Sequence, residues 1–151
     1  MVDKYDADVL IVGLGCVGIS TAFNCTKQGL KVIGFERHDD TGAIGTASYG
    51  TTRIWRTSHD ESRYNQMQME ALEIWREIET RTNKQILHKT GMLWIVHPES
   101  AVYKFVSLEK DGERLTNKEM KVRWPALIGI PNDFVGYWAN NAGIVKARDG
   151  L

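Results

Sequence analysis

Apolar positions change their rhythm several times along the chain, and each rhythm predicts an element. Residues 9–12, VLIV, are an unbroken β-branched and apolar run, the pattern of a parallel strand buried on both faces. A helix is expected over 16–28, with Ile19, Ala22, Phe23 and Thr26 on one side and Gly29 as its stop. Residues 31–35 return to strand character and complete one βαβ unit with a right-handed connection. Residues 38–52, HDDTGAIGTASYGTT, are rich in Gly, Ser, Thr and Asp and read as a loop. Tyr64, Met67, Ala71, Ile74, Trp75 and Ile78 recur at helical spacing, so a long helix is expected over 61–82. GMLWIVH at 91–97 reads as a strand and 100–110 as a helix. Further strands are expected at 135–138 and 143–146.

Where the first strand meets the first helix, Gly13, Gly15 and Gly18 stand in G-x-G-x-x-G spacing. Gly13 permits the tight turn, Gly15 lets the backbone approach a pyrophosphate, and Gly18 lets helix and strand pack closely, with Ala22 extending the seam. The helix N-terminus offers amide hydrogens and a partial positive charge to phosphates. Glu36, at the end of the second strand, is placed to accept hydrogen bonds from ribose hydroxyls and disfavours a 2′-phosphate. The glycines do not separate FAD from NAD, because both present an ADP half to such a turn. A non-catalytic nucleotide-binding module and an NAD-dependent dehydrogenase therefore stand as alternatives to a flavoenzyme.

Composition narrows the setting. The 151 residues suffice for about one domain, and 42% apolar with 25% charged side chains is ordinary for a globular chain. Nineteen basic and nineteen acidic residues leave no net charge, so no basic face for a nucleic acid is expected. No run approaches the roughly 20 apolar residues of a membrane span, and the acidic start gives no secretory signal. Cys16 and Cys25 fall on nearly opposite sides of one helix, which suits reduced thiols and an intracellular setting, cytoplasmic or peroxisomal. His38, His59, His88 and His97 form no metal pattern and read as surface or loop residues. Met67, Met69 and Trp75 read as core contacts, and Asp39-Asp40 as a solvated turn.

The segment GTASYGTTRIWRTSHDESRY, residues 45–64, carries a more specific signal. Thr52-Arg53-Ile54-Trp55-Arg56, then Tyr64, then ALEIWREIE at 71–79, resembles the flavin-dependent secondary-amine oxidases. These are the monomeric sarcosine, N-methyltryptophan and pipecolate oxidases. The likeness continues through KTGMLWI (89–95), RWP (123–125) and IPNDFVGYWANNAGIVKA (130–147), and so spans nearly the whole chain.

That resemblance implies an α/β chain with a Rossmann-like FAD-binding fold and the beginning of a sheet-based substrate domain. Residues 1–90 would form the FAD-binding βαβ unit with its loop and long helix, and 91–151 a partial substrate-domain excursion. The implied reaction oxidises the CH–NH group of a small secondary amino acid, with O₂ as acceptor and H₂O₂ as product. Arg53 is expected against the flavin ring and Arg56 on the substrate carboxylate. Positive charge at the reduced ring and a planar fork for a carboxylate both suit guanidinium groups. Arg37, Ser48 and Thr52 join Gly13, Gly15, Gly18, Glu36 and Arg53 as expected cofactor contacts. Tyr49 stands where the family has His and joins Arg53 and Arg56 as an expected catalytic residue, with a phenol that can hydrogen-bond in place of the imidazole, and Trp55 replaces an aliphatic residue. Family parts such as the oxygen-activating lysine and the flavin-linking cysteine lie beyond residue 151. The chain is therefore expected to be the N-terminal portion of such an oxidase and to turn over little alone. Preferred amine, flavin linkage and oligomeric state stay open.

Overall fold

The computed structural model describes residues 6–107 and 111–151. It falls into two compact units, one ending at Arg53 and rejoined by Lys146–Leu151, the other Ile54–Val145.

The first unit is built on β1 (Val9–Val12), α1 (Cys16–Lys27) and β2 (Val32–Phe35). The strands pair in parallel, from Val9↔Val32 to Val12↔Phe35, and the Gly13 amide donates to the Phe35 carbonyl at 2.7 Å. That last bond carries the ladder into the glycine turn. Gly29, at φ +80°, gives α1 the left-handed exit that most side chains resist. After β2 the chain runs through turns; Asp39 and Asp40 are exposed in a solvated turn, as expected, and Arg148 pairs with Asp40 at 2.6 Å on that surface. The Ala147 amide donates to the Thr51 carbonyl at 2.9 Å.

Burial on both faces of β1 is not what the fold provides. Ile11 alone in the strand is buried, while Val12 is 89% exposed. β1 pairs in a two-stranded sheet, and Gly18 of α1 comes up against the Ile11 side chain.

The second unit holds most of β3 (Thr52–Arg56), followed by α2 (Ser62–Thr82), β4 (Leu87–His88), β5 (Met92–Val96) and α3 (Ala101–Val106). Then come β6 (Gly112–Leu115), α4 (Asn117–Arg123), a 3-10 turn at Pro125–Leu127, β7 (Val135–Ala139) and β8 (Ala142–Lys146). One sheet has the order β3-β8-β4 and the other β5-β7-β6, with β7 antiparallel to both neighbours. Val96, Val106, Tyr137, Ala139 and Ala142 form one core, and Trp55, Ile86, Leu87 and Val145 the other. Trp55 thus fills space: it is 2% exposed, and its indole donates to the Gln68 carbonyl at 3.2 Å.

The long helix forms as expected, but its buried stripe differs. Leu72, Trp75 and Ile78 pack on the second core, whereas Met67 is 57% exposed and Met69, Tyr64 and Ile74 are exposed as well. Two adjacent stripes at helical spacing fit α2, and the position of Trp55 selects between them. Ser100 caps α3 by accepting the Tyr103 amide. Of the helix expected over 100–110, residues 108–110 lie outside the described ones.

Candidate functional site

The glycine turn and the 46–48 segment bound an open cleft of about 800 Å³. Gly13, Gly15, Gly18, Glu36, Arg37 and Ser48 all line it, so these sequence-predicted residues meet in one place. Cys16, Val17, Thr21, His38, Thr46 and Ala47 line it too and were not singled out as site residues. The first two are the variable positions of the glycine motif, and Thr46-Ala47 adjoin Ser48, so adjacency was the available signal.

Each glycine answers a geometric demand. Gly13 has φ +92°. A Cβ on Gly18 would sit 1.9 Å from the Gly13 carbonyl oxygen and 3.2 Å from Ile11 Cγ2, so only glycine brings α1 this close to β1. A Cβ on Gly15 would lie 3.1 Å from Ser48 Oγ. Ser48 reaches the turn because its hydroxyl accepts the Cys16 amide hydrogen at 2.9 Å. The first amides of a helix have no acceptor within it, and Val17 and Gly18, which follow, line the cleft.

Glu36 closes the other side. Its Oε2 accepts the Leu14 amide at 2.8 Å, and its Oε1 accepts the Arg37 and His38 amides at 2.9 and 3.2 Å. The Leu14 amide above all, then that of His38, holds the carboxyl below the usual carboxylate range. Glu36 is therefore an anion fixed at the C-terminal end of β2, positioned by backbone rather than by a cation. Glycines that a Cβ would obstruct, helix amides at the cleft and a fixed carboxylate suit an adenine dinucleotide.

Tyr49, Thr52 and Arg53 are not among the cleft-lining residues. Tyr49 and Thr52 are exposed. The Arg53 guanidinium is turned onto main-chain carbonyls, donating to Thr52 at 2.8 Å, to Ala47 at 2.6 Å and to Tyr49.

In the second unit, the half-buried Arg56 places its guanidinium carbon 5.1 Å from the Trp94 ring centre. His59 lies within electrostatic range of Arg56; burial first, and then that positive charge, push its pKa down. Its amide donates to Asn65 Oδ1 at 2.9 Å. His59 Nε2, Trp94 Nε1 and His88 Nε2 are buried without a hydrogen-bond partner among the described residues. His59 lies in the loop between β3 and α2, as expected, whereas reading His88 as a surface or loop residue is corrected, because it sits on β4; both rings carry a buried nitrogen.

The family model for FAD dependent oxidoreductases (DAO) matches residues 8–149. Monomeric sarcosine oxidase from Arthrobacter sp. (strain TE1826) is 29% identical over 153 residues, covering 97% of this chain and 39% of that protein. N-methyl-L-tryptophan oxidase from Salmonella enteritidis PT4 (strain P125109) is 26% identical, covering 96% of this chain and 40% of that protein. The open form of NikD, described as an unusual amino acid oxidase, superposes with a TM-score of 0.76 at 26% identity. That superposition covers 95% of this chain and 38% of NikD. The chain thus spans about two fifths of the length of the relatives it matches.

Proposed function

This chain belongs to the FAD dependent oxidoreductase (DAO) family, and we propose that it holds FAD over the Gly13–Gly18 turn and serves the oxidation of a small secondary amino acid. The cleft supports the cofactor half of this reading: glycine turn, helix amides, Ser48 and Glu36 all line one surface. The relatives named for sarcosine and N-methyl-L-tryptophan support the substrate class.

Held by the Gly13–Gly18 turn, Ser48 and Glu36, FAD would supply two-electron oxidation of the substrate C–H next to nitrogen, with O₂ as the final acceptor and H₂O₂ as the product. Around that chemistry the chain's own groups have separate tasks. Glu36 accepts from ribose hydroxyls and repels a 2′-phosphate. Arg53 contributes a permanent positive charge that its carbonyl partners do not neutralise, which favours a ring gaining negative charge. Arg56 offers a planar fork to the substrate carboxylate, with its guanidinium over the Trp94 ring. His59, kept neutral, adds no competing charge.

Two measurements test this. Calorimetric titration of the 151-residue chain should show FAD and ADP competing for one site, and binding of NAD⁺ but not FAD would overturn the cofactor half. In a protein of the relatives' full length that carries these residues, sarcosine should bleach the visible flavin band under anaerobic conditions, and Arg56→Ala should raise the sarcosine concentration needed at least tenfold. A band unchanged by every N-methyl amino acid would overturn the oxidase half.

A further inference from the structure

We infer that Arg53 is a positioning residue for the diphosphate end of the cleft, acting through Ser48; the inference rests on the FAD reading above. The guanidinium donates to the carbonyls of Ala47 and Tyr49, the two residues flanking Ser48, and to that of Thr52. The donors sit on two separate nitrogens, Nη1 to Thr52 and Nη2 to Ala47 and Tyr49, a spread that lysine with its single nitrogen does not reproduce. Gly50 makes room: its φ is +126°, and a Cβ there would fall 2.9 Å from Arg53 Nη1. The turn over residues 47–52 is therefore wrapped around one cation, which holds the Ala47–Ser48 peptide unit and the Tyr49–Gly50 unit that follows Ser48 by one residue.

Held this way, the Ser48 hydroxyl accepts the Cys16 amide at 2.9 Å, linking residues 32 apart in sequence. A hydroxyl that accepts from an amide keeps its own proton to donate. In the cleft that proton serves a phosphate oxygen beside the Val17 and Gly18 amides. Arg53 thus supports anion binding without touching the anion.

ADP separates this role from contact with a flavin ring, because ADP has no such ring. The test uses the 151-residue chain with Ser48→Ala, Arg53→Lys and the double variant, with ADP affinity measured by calorimetry. Each single change should weaken ADP about five- to tenfold, the worth of one hydrogen bond. The double variant should be no weaker than Arg53→Lys alone, since both changes break one linkage. Hydrogen exchange gives a second readout: the Cys16 amide should exchange faster in all three variants while the Ile11 amide, inside β1, keeps its protection.

Unchanged ADP affinity in Arg53→Lys would overturn the inference and leave the FAD reading intact. Unchanged Cys16 exchange in Ser48→Ala would do the same. A parent chain that binds neither ADP nor FAD would overturn both.

Discussion

A Cβ on Gly18 would stand 1.9 Å from the carbonyl oxygen of Gly13. The strand-to-helix turn is closed on itself by that approach, with no room for the smallest side chain. Gly18→Ala must push α1 off β1, at a cost of about 1–3 kcal/mol or more for overpacking, and it displaces the amides that line the cleft. Urea unfolding and FAD titration should both register the change. Gly129→Ala, where nothing lies within 4 Å of the added carbon, is the control expected to alter neither strongly. Parent-like FAD affinity in Gly18→Ala would show that the close approach is dispensable.

Glu79 organises the second core from below. Its Oε1 accepts the Ile86 and Leu87 amides, each at 2.7 Å, and its Oε2 pairs with Arg76. Burial opposes ionisation of this carboxyl, but the Arg76 hydrogen bond and the two amides outweigh it and lower the pKa. Glu79→Ala leaves two amides without their acceptor beside fully buried Ile86 and Leu87, so a loss of about 2–4 kcal/mol in chemical denaturation is expected. A loss typical of an exposed residue would mean that water replaces the carboxylate.

His59 sets a pH dependence whose sign follows from its surroundings. Burial and the Arg56 charge lower its pKa from 6.5, so the unfolded chain takes up a proton on acidification before the folded one does. The stability tied to neutral His59 is complete above pH 6.5 and declines as the pH falls from there through the lower folded value. Unfolding measured between about pH 7.5 and about pH 5.5 should show that decline, and His59→Gln should flatten it. An unchanged slope in His59→Gln would assign the dependence to other groups.

The sequence disclosed what depends on local geometry. Gly13 and Gly18 each meet a demand set within a few residues, and Gly29 ends α1 by the same logic, whereas the atom that crowds Gly15 belongs to the distant Ser48. α2 was legible as a helix but not in its buried side, because Trp55, which selects the stripe Leu72–Trp75–Ile78, arrives from β3. β3 itself was hidden by a loop-like approach and by arginines at 53 and 56. β4 has two residues and exists through its pairing with β8, Leu87↔Val145. β6, GERL, has no apolar alternation and is a strand because β7 lies beside it. α4 was missed although its start was visible: Thr116 and Glu119 form a capping box, with the Thr116 hydroxyl accepting the Glu119 amide at 3.2 Å. Within the site, Ser48 and Arg53 were found by resemblance, but their arrangement was not. A serine bonding an amide 32 residues away, and an arginine folded onto three carbonyls, leave no periodic trace.

The central claim is that the diphosphate of an adenine dinucleotide lies on the Gly13–Gly18 turn. Amide ¹H–¹⁵N shifts followed during ADP titration test it directly. The largest changes are expected at Cys16, Val17 and Gly18, with smaller ones at Arg37, His38 and Ser48. A titration that instead leaves residues 13–18 unmoved while perturbing other amides would contradict the account.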